Sequence, residues 1–181
     1  MEAPELPSTS QILVDLREEE DYDAIFHYIE AHPDEVILYD VTLGGKDYEP
    51  EVTELSFPPE ETPYDDLLRN LKYLPNITTL NLPDTSLTGH QMRNLQEAYP
   101  NLQIRYTVSF NGQTIDLNTT EMNISHLSAD QIPFIAAKLS LLPQLQQVQL
   151  MRADGTSSLS QTDVKMLQQA CPEVIFLYTP N

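Results

Sequence analysis

The sequence contains an internal repeat. A shift of 67 residues lays Pro33–Phe57 on Pro100–Ile124 without a gap. The identical pairs are Pro33/Pro100, Ile37/Ile104, Tyr39/Tyr106, Val41/Val108, Gly45/Gly112, Thr53/Thr120 and Glu54/Glu121. A third, partial copy begins at Pro172, where a tyrosine (Tyr178) again follows six residues later. Because one repeat unit cannot cover its own apolar face, the pattern predicts that neighbouring units stack against one another.

Within each unit, segments of helical periodicity alternate with short strand-like segments. Proline follows five of the helical segments, and proline disfavours the α conformation in the residue before it. The sequence therefore predicts five helices of roughly 10 to 13 residues. Their expected ends are His32-Pro33, Leu74-Pro75, Tyr99-Pro100, Leu142-Pro143 and Cys171-Pro172. The pairs Thr88/Gln91, Ser128/Gln131 and Ser160/Asp163 have the spacing of a capping box and mark three helix starts.

The strand-like segments alternate between apolar and polar residues, as in Leu80-Asn81-Leu82 and Val148-Gln149-Leu150. Strands that alternate with helices pair in parallel, because each helix carries the chain back to the same edge of the sheet. Gly44-Gly45 and Asn111-Gly112 interrupt extended segments. Such pairs turn β-hairpins, so we expect a small antiparallel ribbon at each.

One segment, Ile77-x-x-Leu80-x-Leu82-x-x-Thr85-x-Leu87, resembles the leucine-rich repeat, with Thr85 where that family most often has Asn or Cys. The turn Y-P-N-x-x-I-x-Y-T-V at Tyr99–Val108 resembles bacterial cell-surface members of that group. The resemblance implies an α/β fold: a leucine-rich-repeat-like solenoid of stacked strand–helix units, with a parallel sheet and small hairpin excursions. It predicts one array over residues 11–181, with about two and a half copies of the unit, preceded by a linker or arm at residues 1–10.

Charge limits the partners of this chain. It has 28 acidic and 9 basic side chains and a formal charge of −19. Binding of nucleic acid requires clustered lysine and arginine, so we expect no nucleic-acid partner. No run of apolar residues approaches the ~18 of a membrane span, which predicts that this segment does not insert into a membrane.

The sequence carries no recognised catalytic motif, and we expect neither an enzyme nor a cofactor. A single cysteine, Cys171, excludes an internal disulfide framework and a cysteine-based zinc site. It ends an apolar helical face, which favours a buried, inert thiol over a nucleophile. The four histidines are scattered, and His27 and His32 lie about 140° apart around one helix, so no metal site is predicted.

The outward face of the predicted sheet is the candidate ligand-binding surface. The residues between the inward leucines are polar and include glutamine, asparagine and arginine, which suit hydrogen bonding to a protein or a glycan. The predicted ligand face is Thr79, Asn81, Gln103, Arg105, Gln147 and Gln149. The alternative is that these side chains are simply solvent-facing, as on many exposed sheets. In Val174–Leu177 both faces are apolar, which indicates either burial on both sides or an uncovered Ile175 and Leu177.

These features predict a non-catalytic protein- or glycan-binding or adhesion module, a segment of a larger leucine-rich-repeat surface protein. The alternative is a structural spacer with no ligand of its own. The resemblance places the chain outside the cell or on its surface, while a cytoplasmic bacterial protein fits the composition equally well.

Overall fold

The computed structural model describes residues 12–110, 112–125, 127–152 and 155–179, which form a mixed α/β structure. The predicted arm at residues 1–10 lies outside the described residues. The strands are β1 (Leu13–Asp15), β2 (Val36–Leu38), β3 (Val41–Leu43), β4 (Lys46–Tyr48), β5 (Glu54–Ser56), β6 (Thr79–Leu82), β7 (Gln103–Tyr106), β8 (Val108–Phe110), β9 (Gln113–Ile115), β10 (Glu121–Asn123), β11 (Gln147–Gln149) and β12 (Ile175–Leu177). The helices are α1 (Tyr22–Ala31), α2 (Tyr64–Asn70), α3 (Gly89–Ala98), α4 (Ile132–Leu139) and α5 (Gln161–Ala170).

The strands form five short sheets. Three are parallel: β1–β2, β5–β6–β7 and β10–β11–β12. The other two are the antiparallel hairpins β3–β4 and β8–β9. Parallel pairing and the two hairpins were both predicted from the sequence, and both predictions are confirmed. At the first hairpin, Gly44 and Gly45 both have positive φ angles, of 59° and 73°, which glycine adopts without steric cost.

The internal repeat is visible in the strands. Strands β7, β8, β9 and β10 each begin 67 residues after the first residue of β2, β3, β4 and β5, respectively. The repeated tyrosines also make equivalent contacts. The hydroxyl of Tyr39 donates to the carbonyl of Tyr73, and that of Tyr106 donates to the carbonyl of Leu141. Each repeat therefore uses its tyrosine to bind the backbone that follows the next helix.

The predicted leucine-rich-repeat-like solenoid, with one parallel sheet, is wrong. The described residues form five separate sheets of two or three strands, and β2 and β5 lie at the edges of different sheets. Along the chain, a hairpin follows β2 and another follows β7, and the first strand of each hairpin contributes to the apolar core. Val41 and Leu43 in the first hairpin and Val108 in the second are fully buried. The chain leaves β2 directly for this buried ribbon, and β5 then begins a new sheet.

Thr85 also departs from the leucine-rich-repeat pattern. In the resembled family, an asparagine at this position bonds successive turns together. Here the Thr85 hydroxyl is buried and accepts from the Leu87 N–H, two residues on, at 3.2 Å. The bond closes a local turn and does not connect two units.

The helix starts follow the sequence, and α1, α3 and α5 have the predicted length of 10 residues, whereas α2 and α4 are shorter than predicted. Thr88 with Gln91 caps α3 and Ser160 with Asp163 caps α5, each with both bonds of the capping box. The box of Ser128 and Gln131 begins a 3₁₀ turn that leads into α4. The five α-helices span 7 to 10 residues. Within the described residues, none of them combines the length and apolar character that crossing a bilayer requires.

The last strand has one buried face and one exposed face. Phe176 is buried, but Ile175 is 59% exposed and Leu177 is also exposed. The prediction that both faces of this strand are buried is therefore wrong, and the side chains of Ile175 and Leu177 are exposed. They lie on the same sheet face as Gln147 and Gln149, their partners in register.

Candidate ligand-binding face

Four of the six predicted face residues lie together on the sheet β5–β6–β7. The register pairs Thr79 with Gln103 and Asn81 with Arg105. Partners in register share a sheet face, and the intervening Leu80 is fully buried on the opposite face. The sequence alternation thus placed these four residues on the outward face correctly.

Strand β5 adds two residues to this face. Glu54 pairs in register with Thr79, and Ser56 pairs with Asn81. The Asn81 side-chain amide donates to the Glu54 carboxylate, with Nδ2 and Oε1 2.5 Å apart. On the other side, the Arg105 guanidinium donates to the Gln103 side-chain carbonyl at 2.9 Å. The outward surface is therefore a set of hydrogen-bonded polar side chains held by three adjacent strands.

A groove of about 360 Å³ lies at this face. Ser56, Asn81 and Arg105, which form one row across the three strands, contribute to its lining. Pro83 and Tyr106 also line it and add apolar surface. Because the Tyr106 hydroxyl already donates to the Leu141 carbonyl, the polar groups that the row offers are a hydroxyl, an amide and a guanidinium. These groups donate and accept hydrogen bonds, and apolar contacts beside them suit the flat faces of a sugar ring or a peptide side chain.

Thr79 is less accessible than predicted. Its exposure is 8%, because the middle strand places it between Glu54 and Gln103, whose longer side chains flank it on both sides. The prediction that Thr79 projects into solvent is wrong. It supports the face and offers little surface to a ligand.

Gln147 and Gln149 lie on a different sheet. They belong to β11, between β10 and β12, and their partners in register on those strands are Glu121, Asn123, Ile175 and Leu177. The sheet of β11 has no hydrogen-bonded strand in common with that of β6. The structure therefore divides the six predicted residues into a group of four and a pair. Ligand binding by any of them stays a prediction.

Sequence reasoning missed Glu54 and Ser56 as members of this face. In the sequence, Glu54 is one of 28 acidic residues, and nothing in its own position distinguishes it from a solvated carboxylate. The available signal was the repeat, since Thr53-Glu54 and Thr120-Glu121 are identical. In both copies the glutamate is the first residue of a strand that is paired in parallel, β5 with β6 and β10 with β11.

The described residues outside this face show no second cluster of ligating side chains. Among them, no group of three or more histidine, cysteine, aspartate or glutamate residues is placed to hold a metal ion. Cys171 is buried, its thiol lies 3.8 Å from the Ala136 carbonyl, and burial raises its pKa to about 11. The prediction of a buried thiol is confirmed.

We expect the native protein to react slowly with a thiol reagent. A thiol whose pKa is about 11 has roughly one thousandth of its molecules ionised at pH 8, and the thiolate is the reactive form. Reaction with Ellman's reagent at pH 8 should be at least about 100-fold slower in buffer than in denaturing urea. The urea-unfolded chain supplies the control. Equal rates in the two conditions would show that Cys171 is open to the reagent.

Comparisons with protein-family models, with curated proteins and with solved structures give no match to this chain. The resemblance to leucine-rich-repeat proteins, and the location outside the cell that it implies, thus stay predictions from the quoted residues.

Proposed function

We propose that this chain is a non-catalytic recognition module that binds a protein or a glycan through the outward face of β5–β6–β7. One observation carries the proposal: Ser56, Asn81 and Arg105 form a single row across three strands and line one groove. Short strands paired on a buried apolar face hold the row, so its geometry is set before a ligand arrives. Preorganised polar groups beside apolar surface favour binding, because less conformational entropy is lost.

Charge refines the proposal. Arg105 is one of only nine basic side chains in a chain of charge −19. Its guanidinium contacts Gln103, an uncharged partner, and the residue is exposed. A ligand carboxylate, or the hydroxyls of a sugar, can therefore bind this cation without displacing a protein carboxylate from it.

Replacing Arg105 with alanine should weaken binding at least about tenfold, because a charged hydrogen bond contributes roughly 1.5–3 kcal/mol. Asn81→Ala should have a similar but smaller effect. The measurement is retention of the purified protein on an immobilised glycan panel and on a displayed peptide library, followed by titration of each retained probe. Thermal unfolding should be nearly unchanged in Arg105→Ala, since the side chain is exposed.

Gln149→Ala is the matched control, because Gln149 holds the corresponding row position on the neighbouring sheet. We expect it to leave binding unchanged. An equal loss in Gln149→Ala, or unchanged binding in Arg105→Ala, would contradict the proposal. Retention of no glycan and no peptide would favour a structural spacer, and turnover of a probe would favour an enzyme.

A further inference from the structure

Helices α3 and α5 hold equivalent places in the repeat. Each spans ten residues, begins at a capping box and ends at a C-cap residue that a proline follows. The C-cap residue is Tyr99 in α3 and Cys171 in α5. Their backbone angles agree closely, with φ −129° and ψ 69° at Tyr99 and φ −132° and ψ 72° at Cys171. The repeat therefore places a thiol where the earlier helix has a phenol ring.

The two C-cap side chains also contact equivalent partners. The Tyr99 hydroxyl donates to the Leu68 carbonyl on α2 at 2.8 Å, and the Cys171 thiol lies 3.8 Å from the Ala136 carbonyl on α4. Leu68 and Ala136 are equivalent, because both lie at the same spacing before a Leu-Pro pair. Since a thiol is much smaller than a phenol ring, Cys171 fills less of the space between the two helix ends.

A groove of about 410 Å³ lies beside Cys171, between the ends of α4 and α5. Its apolar lining includes the buried side chains of Leu139, Leu142 and Val174. At the equivalent position in the other pair of helices, the Tyr99 ring is partly buried and packs against the core. The volume is in the range of small-molecule pockets, which are mostly apolar and contain few polar groups. The equivalent site therefore indicates that an aromatic ring suits this groove.

Arg93 adds a cation to the lining of the groove. It lies on α3 at the position that Phe26 holds on α1, since α1 and α3 are equivalent helices. Arg93 is exposed, and among the described residues no acidic side chain forms an ion pair with it. Its guanidinium is therefore available to a carboxylate, which it can bind through two parallel hydrogen bonds.

Glu173 also lines the groove, but a polar residue at its position is common to the whole repeat. The residue directly after the proline is Asp34, Asn101 or Glu173 in the three copies. Two other features distinguish this groove from the filled site beside Tyr99. A ring is absent, and an arginine replaces an apolar aromatic side chain. An aromatic ring that carries a carboxylate complements both features.

We propose that this groove binds a small aromatic carboxylic acid. The ring packs against Leu139, Leu142 and Val174, and the carboxylate accepts hydrogen bonds from the Arg93 guanidinium. Burial of the ring supplies most of the affinity, and Arg93 selects the charge of the ligand. The groove shares no lining residue with the one at the face of β5–β6–β7, so this site does not depend on the function proposed for that face.

The test titrates 3-phenylpropionate into the ¹⁵N-labelled protein. We expect saturable shifts of the amide signals of Cys171, Glu173 and Val174 at roughly millimolar ligand, as for other ligands of this size. Propionate, which lacks the ring, should give no saturable shifts. In 2-phenylethylamine an ammonium group replaces the carboxylate, and this probe should bind at least about tenfold more weakly. The absence of saturable shifts with 3-phenylpropionate would overturn the proposal, and so would equal or tighter binding of the amine.

A third probe, N-acetylphenylalanine amide, distinguishes a free acid from an aromatic side chain of another polypeptide. It carries the same ring within a peptide unit and has no carboxylate. We therefore expect it to bind at least about fivefold more weakly than 3-phenylpropionate. Equal or tighter binding of this probe would assign the groove to a polypeptide partner and overturn the proposal.

Two protein variants make the test specific. Cys171→Tyr restores the ring of the equivalent site and should abolish binding of 3-phenylpropionate while the circular dichroism spectrum stays unchanged. Arg93→Gln changes an exposed residue, should weaken binding at least about fivefold and decides the question if Cys171→Tyr does not fold. Arg69→Gln is its matched control, because Arg69 is an exposed arginine on α2 outside the groove. Wild-type affinity in Arg93→Gln, or in a folded Cys171→Tyr, would contradict the proposal.

Discussion

Replacing Gly89 with alanine is expected to lower the free energy of unfolding by about 2–3 kcal/mol. Gly89 is the first residue of α3, and its N–H donates to the Ser140 hydroxyl just after α4. A Cβ atom at this position would lie 2.3 Å from the Ser140 carbonyl oxygen. Because that oxygen belongs to the backbone, relief requires one helix end to move, and such overpacking costs 1–3 kcal/mol or more.

The sign of the stability change distinguishes a steric clash from the usual effect of this substitution. Glycine to alanine in a helix ordinarily stabilises a protein by about 0.4–1 kcal/mol, through the entropy of the unfolded chain. Urea unfolding measures the change, and the midpoint of thermal unfolding should fall by about 5–10 °C. His90→Ala, at the next and exposed position, is the matched control and should change stability by less than about 0.5 kcal/mol. A stabilised Gly89→Ala variant would show that α3 and α4 do not approach this closely.

Adding Ser140→Ala should not rescue Gly89→Ala. The Ser140 hydroxyl is also near the added Cβ, at 2.8 Å, but the closest atom is the carbonyl oxygen, which the second substitution leaves in place. Full recovery of stability in the double variant would assign the clash to the side chain instead of the backbone.

Local features of the fold were predictable because they depend on residues close together in the sequence. The capping boxes and the hairpin glycines each act within a few residues, and a proline directly follows the C-cap residue of α1, α3 and α5. Helix length was less predictable. The segment that ends at Leu74 contains α2, of only seven residues, followed by a 3₁₀ turn over Leu71–Tyr73. Its apolar residues Leu71, Tyr73 and Leu74 are buried all the same, so the apolar pattern could not show where the α-helix ends.

Whether consecutive sheets join is a non-local property. The repeat shows that β2 and β7 are equivalent, but it does not show that Val41 and Leu43 would be fully buried or that β2 and β5 would belong to different sheets. The described residues form separate sheets on the two sides of each hairpin in the chain, and no pattern within one unit predicts this. The same division separates Gln149 from Asn81, so the candidate face was predicted correctly within one sheet and wrongly across two.

A partly buried ion pair was also not predictable from the sequence. Lys138 lies on α4 with only 8% of its side chain exposed, and its ammonium group is 2.5 Å from the Asp84 carboxylate. Asp84 follows β6 with a φ of 46°, in the left-handed region that asparagine and aspartate tolerate best among residues with a side chain. Its carboxylate also accepts from the Ser109 N–H on β8 at 2.9 Å. One side chain therefore connects the end of β6, the second hairpin and α4.

Replacing Asp84 with asparagine is expected to cost about 2 kcal/mol at pH 7. The variant keeps the left-handed backbone accessible and leaves the buried ammonium group of Lys138 without its counterion. Breaking a buried pair costs 3–5 kcal/mol, and the Asp84 side chain is 46% exposed, so solvent reduces the loss. Lys138→Met is the matched control. It removes the buried charge and leaves a half-exposed carboxylate that still accepts from Ser109, so we expect a change of less than about 1 kcal/mol.

The pH dependence identifies the carboxylate as the cause. Desolvation raises the pKa of Asp84, but the hydrogen bonds and charge of Lys138 and the Ser109 N–H outweigh it, so the pKa lies below the usual value of an aspartate. A group whose pKa is lowered by folding stabilises the protein above its unfolded pKa and loses that contribution as the pH falls through its folded pKa. The stability difference between the wild type and Asp84→Asn should therefore be constant from pH 7 down to about pH 4 and shrink below that. Denaturant titrations at a series of pH values measure this stability difference.

In the double variant Asp84→Asn, Lys138→Met, most of the lost stability should return, because no buried charge is left unpaired. A pH-independent deficit, or a double variant as unstable as Asp84→Asn, would show that the backbone conformation at residue 84, and not the ion pair, holds these three elements together.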